Sequence, residues 1–136
     1  MVGKKLLLIE DEDTLRFLYN RQLTHAQYAV DQAANGEEGV KFMNQNAYDL
    51  ILLDLMLPDT NGIDILRKLN TEGQIKKSPI ILLTNLADDA IIQEAYRLGI
   101  IGYIIKAQFT PDQIIQQVDD FVTKAKTPSE DKEQKM

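Results

Sequence analysis

The sequence predicts an α/β domain, a parallel sheet of five strands covered by helices, and three observations lead there. Short apolar runs recur at residues 6–9, 28–33, 50–53, 80–83 and 102–105, with helix-length segments between them. Strands that alternate with helices pair in parallel through helical crossovers. Within this series Leu50, Ile51, Leu52 and Leu53 are uninterruptedly apolar, as a strand buried on both faces must be. Finally, 136 residues suffice for one domain with a sizeable core and are too few for two ordinary ones.

Each element has local signals. After the first strand, Leu15, Leu18, Tyr19 and Leu23 fall at helical spacing, with Asp13 expected to cap that helix. Asn35-Gly36-Glu37-Glu38 supplies a cap and first-turn acids for a second helix that continues through Val40 and Met43. The third strand stops at Asp54, and Pro58 with Asn61-Gly62 turns the chain. A third helix runs from about Gly62 through Ile65, Leu66 and Leu69 until Glu72-Gly73 ends it. Pro79 introduces the fourth strand, and residues 87–98 form a helix stopped by Gly99. Thr110-Pro111-Asp112-Gln113 combines a threonine cap, proline at the first helical position and a glutamine that completes a capping box. Ile114, Val118, Phe121, Val122 and Ala125 then make one apolar stripe, read as core packing. The chain from Lys124 is charged and aperiodic, so we expect a domain over residues 1–125 and a solvated, disordered tail over 126–136.

Composition removes several function classes. Lys+Arg 15 against Asp+Glu 21 leaves a formal net charge of -6, which argues against direct nucleic-acid binding because phosphate contacts need a basic surface. There is no cysteine and His25 is the one histidine, so thiol chemistry, disulfides and His- or Cys-rich metal clusters are out. The first apolar run is only residues 6–9 and gives way at once to four acids, unlike a secretory core, and no run approaches a membrane span. A soluble, cytoplasmic protein with no membrane contact is expected.

Chemistry converges where the strands end. In a parallel sheet the residues just after each strand collect along one edge. That edge receives Glu10 and Asp11 after the first strand, Asp54 after the third, Thr84 after the fourth and Lys106 after the fifth. If the order is 2-1-3-4-5, the first and third strands are neighbours and their carboxylates share a crevice. At about 4 Å and an effective dielectric near 20, each carboxylate pair repels by roughly 4 kcal/mol. Glu10, Asp11 and Asp54 against Lys106 leave a formal excess of two negative charges, which a divalent hard cation neutralises; few carboxylates with several retained waters suit magnesium. Taken singly, Asp54 is a turn-capping carboxylate, Thr84 a strand-end hydroxyl and Lys106 a surface charge. Their joint placement is what points to a metal-assisted phosphoryl site. Leu15 stands where a calcium-binding EF-hand loop needs its glycine, which excludes that loop.

These residues resemble the receiver domain of bacterial two-component response regulators, over residues 5–123. Five features recur in order: the acidic pair Glu10-Asp11, Asp54 within Leu-Asp-Leu-Met-Leu-Pro-Asp-Thr-Asn-Gly, Leu-Leu-Thr ending at Thr84, the aromatic Tyr103, and Lys106. The resemblance implies a flavodoxin-like (βα)5 sandwich with a five-stranded sheet in the order 2-1-3-4-5. It implies that Asp54 accepts a phosphoryl group from a phosphohistidine on a sensor histidine kinase or phosphotransfer protein. Asp11, Asp54 and the Met56 main-chain carbonyl would bind Mg2+, with Glu10 acting through water. Lys106 would pair with phosphoryl oxygens, the Thr84 hydroxyl would swing toward them, and Tyr103 would turn inward. Output would be a contact with a downstream protein through the face of helix four, strand five and helix five around Tyr96, Tyr103 and Gln108.

Four departures from the family pattern qualify that expectation. Asn85 follows Thr84 where a small residue is usual, and can crowd the phosphoryl or hydrogen-bond to it. Ala107 follows Lys106 where proline, often after a cis peptide, is usual; a cis bond before alanine costs about 3 kcal/mol, so either a relaxed trans loop or a strained one is expected. Met56 and Leu86 are apolar at the two positions that could position an attacking water, which predicts slow self-dephosphorylation. Glu10 replaces the commoner aspartate. The rival readings are a receiver-like interaction module without phosphoryl turnover, an Asp-nucleophile phosphohydrolase, in which Met56 would have to be a second aspartate, and a flavodoxin-type cofactor binder, whose phosphate loop Glu10-Asp11-Glu12-Asp13 would oppose.

Overall fold

The computed structural model describes residues 3–85 and 88–124. Along the chain lie β1 (Lys5–Ile9), α1 (Asp13–His25), β2 (Ala29–Ala33), α2 (Gly36–Gln45), β3 (Leu50–Leu53), α3 (Gly62–Thr71), β4 (Ile80–Thr84), α4 (Asp89–Leu98), β5 (Gly102–Ile105), a short 3-10 turn (Lys106–Gln108) and α5 (Pro111–Lys124). The five strands are parallel, in the order β2-β1-β3-β4-β5. The expected α/β flavodoxin-like sandwich is therefore the observed fold. The reading of residues 126–136 as a tail falls outside the described residues, as does Leu86.

Period-two alternation divides each central strand between two cores. Leu7, Ile9, Ile51, Leu53, Ile80 and Leu82 pack under α2, α3 and α4, against Met43, Leu66, Leu69, Ile92 and Ala95. Leu6, Leu8, Leu50, Leu52, Ile81 and Leu83 face α1 and α5, against Tyr19, Leu23, Ile114, Val118 and Val122. Burying one such leucine is worth about 1.5–3 kcal/mol, and a slip of one residue in any central strand would exchange the residues of the two cores. The register that results aligns Ile9 with Leu53 and Leu53 with Leu82, and aligns Thr84 with Ile105. It brings the residues that follow β1 and β3 side by side.

Of the caps expected from the sequence, those of α2 and α5 form and one does not. Asn35 and Asn61 accept from the amides of Glu38 and Asp64, and Asp88 accepts from those of Ala90 and Ile91. At α5 the capping box closes in both directions: the Thr110 amide donates to Gln113 Oε1 at 2.9 Å and the Gln113 amide to Thr110 Oγ1 at 3.3 Å. The exception is Asp13. The N-cap of α1 is Glu12, without a side-chain cap, and Asp13 lies one residue inside the helix with its carboxylate 2.6 Å from Arg16. The reason is Glu10, whose carboxylate accepts from the Glu12 amide at 3.0 Å and so fixes the chain into α1 one residue earlier. Gly99 ends α4 at φ 121°, with Ile75 Cγ1 only 2.8 Å from where a Cβ would stand, so no other residue fits that turn.

A second anchor crosses between loops. Asp59, in the loop after β3, accepts from the Gly36 amide at 2.8 Å and the Glu37 amide at 2.9 Å, so its carboxylate sits on the N-terminus of α2. An anion there completes orphan amides and opposes the helix dipole, and these bonds hold the Asp59 carboxyl below its ordinary value of 3.8. A carboxylate bound in its charged form stabilises the fold above its unfolded pKa and loses that contribution as the pH falls through the depressed value. Asp59→Ala is therefore expected to lower stability at neutral pH, and the gap to wild type, read from urea unfolding, should narrow as the pH falls below 3.8. A gap that stays constant with pH would count against this anchor.

Candidate functional site

The site is built from strand ends. Asp54 continues the β3 ladder, its amide donating to the Ile9 carbonyl at 3.1 Å, and the Glu10 amide donates to Ala33 at 3.0 Å. Both carboxylates are consequently held against the sheet: Glu10 is 0% exposed and Asp54 3%. Each accepts from the amide two residues further on, Glu10 from Glu12 at 3.0 Å and Asp54 from Met56 at 3.1 Å. Lys106, from the end of β5, reaches across two strands and donates to both, at 2.7 Å to Glu10 Oε1 and 2.8 Å to Asp54 Oδ2.

Asp11 is exposed, yet one oxygen from each of Glu10, Asp11 and Asp54 falls within 4.8 Å of the others. A set of carboxylate oxygens with one open side is hard-cation chemistry, suited to Mg2+ or Ca2+ and not to softer metals. The electrostatics lean the same way. Burial pushes the Glu10 carboxyl up in spite of its bonds to Lys106 and the Glu12 amide, so the charged carboxylate lacks compensation. Burial alone would lower the Lys106 ammonium, but its bonds to Asp54 and Glu10 outweigh that and hold it above its ordinary value. Burial also raises the phenol of Tyr19, which lies within the field of Lys106 and both carboxylates.

The loop after Asp54 is tightly specified. Met56 bridges antiparallel to Asn61, and the bonds of that bridge come from the flanking residues, Gly62 amide to Leu55 at 2.8 Å and Leu57 amide to Thr60 at 3.2 Å. The Met56 amide is thereby left for Asp54 and the Met56 carbonyl stays out of the bridge. Its side chain is 64% exposed. Gly62 is required by close approach: a Cβ there would stand 3.0 Å from the Asp54 carbonyl and 3.1 Å from Leu55 Cα.

Thr84 is fully buried at the end of β4, and Tyr103 on β5 is 42% exposed, edge-on to Tyr96 with ring centroids 6.3 Å apart. The Lys106-Ala107 peptide is trans, as are all peptides among the described residues, so of the two expected alternatives the trans loop is the one observed, wound as a 3-10 turn. The Asn85 Oδ1 accepts from the Ala107 amide at 2.7 Å. Glu10, Asp11, Asp54 and Lys106 thus come together as the strand ends predict, with Thr84 on the same edge.

Sequence reasoning missed Arg16, whose guanidinium donates to the Glu10 carbonyl at 2.8 Å while pairing with Asp13. Its spacing of six residues from Glu10, at the fourth residue of α1, carries no pattern of its own. It also missed the Asn85–Ala107 bond, although both residues had been singled out separately.

Removing the cation from a buried pair leaves uncompensated charge, at about 3–5 kcal/mol. Lys106→Met is expected to destabilise the protein by about that amount in urea unfolding at neutral pH with chelator present. Asp54→Asn, which leaves Lys106 paired with Glu10, should cost markedly less. Equal costs for the two variants would show that Lys106 does not hold the carboxylates together.

The response regulator receiver domain family matches residues 6–119. The transcriptional regulatory protein ResD of Bacillus subtilis is 35% identical over 125 residues, covering 92% of this chain and 50% of ResD. For SrrA of Staphylococcus aureus the identity is 33% over 117 residues, covering 86% of this chain and 47% of SrrA. The chain therefore spans about half the length of these curated relatives. Among solved structures, the receiver domain of Francisella response regulator 1452 has a TM-score of 0.79 at 25% identity, covering 91% of this chain and 100% of that one. A receiver domain protein from Methanospirillum hungatei shares the fold at 22% identity with a TM-score of 0.79, covering 90% of this chain and 95% of that one. A family match running from β1 into α5, over a sheet whose carboxyl edge gathers three acids and a lysine, means that the chain belongs to the response regulator receiver domains.

Proposed function

We propose that the protein is a phosphorylation-dependent signalling switch, in which Asp54 accepts a phosphoryl group from a phosphohistidine on a sensor histidine kinase or phosphotransfer protein. The observation that carries this reading is the Lys106 ammonium 2.8 Å from Asp54 Oδ2, beside carboxylates that lie within 4.8 Å of one another. An Asp54 carboxylate oxygen attacks phosphorus, the P–N bond breaks, and its electron pair returns to the imidazole of the donor, which takes up a proton. Lys106 faces the charge that grows on the equatorial oxygens in that transfer. Asp11, Asp54 and the Met56 carbonyl would hold Mg2+, with Glu10 acting through water. The metal supplies charge neutralisation for the phosphoryl oxygens.

Once formed, the aspartyl phosphate offers acceptors that the Asp54 carboxylate lacks, and Lys106 and Thr84 satisfy them only by moving. Tyr103, now edge-on to Tyr96, follows inward, and the face of α4, β5 and α5 around Tyr96, Tyr103 and Gln108 changes its affinity for a target protein. Exposed Tyr96, Ile101 and Tyr103 support that face as the output surface. The acting unit is residues 1–125, with the charged residues 126–136 beyond it and the cytoplasm as its compartment; no helix among the described residues is long and apolar enough to cross a membrane. The phosphohydrolase alternative draws no support, since Met56 brings no second carboxylate to the site.

Titration with beryllium fluoride and Mg2+, followed by amide NMR, tests the proposal. Wild type should show Mg2+-dependent shifts at Asp54, through β4 and around Tyr103, and Asp54→Asn should show none. A wild type that does not respond would overturn the reading. Because the exposed Met56 thioether cannot orient an attacking water, the phosphorylated protein should lose label slowly, and rapid loss in purified protein would refute that point.

A further inference from the structure

Asn85 and Ala107 are adjacent to the two residues that must act together on the phosphoryl group, Thr84 and Lys106. The Asn85 carboxamide accepts the Ala107 amide at 2.7 Å, joining the loop after β4 to the turn after β5. Because the donor is an N–H, the group facing it must be the carboxamide oxygen. Proline at position 107 would have no N–H to offer, so this bond exists only because neither position carries the small residue and the proline of the family pattern.

From this geometry we infer that Asn85 is a positioning residue, a latch on Ala107 that restrains the Thr84 loop in its phosphoryl-free arrangement and so sets how readily the site fills. The two ends of the latch differ in freedom. Ala107 follows Lys106, which is moored by two bonds to buried carboxylates. Asn85 is exposed and follows the residue whose hydroxyl has to move toward the phosphoryl. A hydrogen bond at 2.7 Å tolerates a few tenths of an ångström. Because Thr84 and Lys106 both move toward the phosphoryl group, the spacing between Asn85 and Ala107 changes and the bond breaks. An interaction present in only one of two states biases the equilibrium toward that state by its own net worth.

This rests on the phosphoryl-acceptor reading, and the test separates the two. The phosphoryl mimic is beryllium fluoride with Mg2+, and its affinity is measured for wild type, Asn85→Ala, Ala107→Pro and the double variant, with Ala107→Gly as a control that keeps the N–H. A solvated neutral hydrogen bond shifts an equilibrium by roughly 2- to 10-fold. Each single variant should tighten binding by about that factor, the double variant should be no tighter than either single, and Ala107→Gly should match wild type. Exchange of the Ala107 amide should be faster in Asn85→Ala than in wild type, and in wild type it should speed up on binding the mimic.

If Asn85 instead crowds the phosphoryl, Asn85→Ala tightens binding while Ala107→Pro does not, and the latch is refuted. Additive effects, weaker binding in the single variants, or an Ala107 amide indifferent to position 85 refute it as well. Failure of wild type to bind the mimic at all would remove the phosphoryl-acceptor reading, and the latch with it.

Discussion

The arrangement on which everything else depends is a single ammonium shared by two buried carboxylates. Glu10 and Asp54 are carried by neighbouring strands and would repel each other; Lys106, three strands from Glu10 and two from Asp54, reaches them at 2.7 and 2.8 Å. Its one charge cannot balance both acids, and Asp11 adds a third. The site is therefore held in a state of unsatisfied negative charge that the fold tolerates because the carboxylates also accept backbone amides. Such an excess of negative charge suits a site that takes up a hard cation, whose charge offsets it.

The surroundings of that triangle are unequally rigid. On the acceptor side, the Met56–Asn61 bridge, the close approach of Gly62 and the grip of Asp59 on α2 fix the loop after β3 from three directions. Across the cleft, the described part of the loop after β4 is tied by the exposed Asn85–Ala107 bond. Nearby, α4 is fastened to α3 by surface contacts, the Arg67–Glu94 pair at 2.6 Å and the bond from Asn70 to the Leu98 carbonyl at 3.1 Å. Exposed ion pairs contribute about 0–1 kcal/mol. The polar ties on the α4 side are thus weak, and α4 is held instead by the burial of Ile92 and Ala95.

Alternation and punctuation determined most of the fold. Leu50 to Leu53 could only be a strand covered on both faces, Thr110-Pro111-Asp112-Gln113 could only start a helix, and Gly99 marks the end of another; these are local steric and hydrogen-bonding facts that need no partner. The site residues were legible for a related reason. A parallel sheet delivers strand ends to one edge whatever else happens, so Glu10, Asp11, Asp54, Thr84 and Lys106 could be grouped before any distance was known. What local signals could not decide was which orphan group each polar side chain would satisfy. Asp13 looked like a cap, but the Glu10 carboxylate had already set the chain at Glu12. Asp59 carries no local signal of its role, since its partners lie more than twenty positions away in α2. Asn85 and Ala107 read as two separate departures, and only the approach of two loops made them one hydrogen bond. Chain-local sterics write elements into the sequence, whereas long-range hydrogen-bond partners are chosen when the strands take their register and bring the loops together.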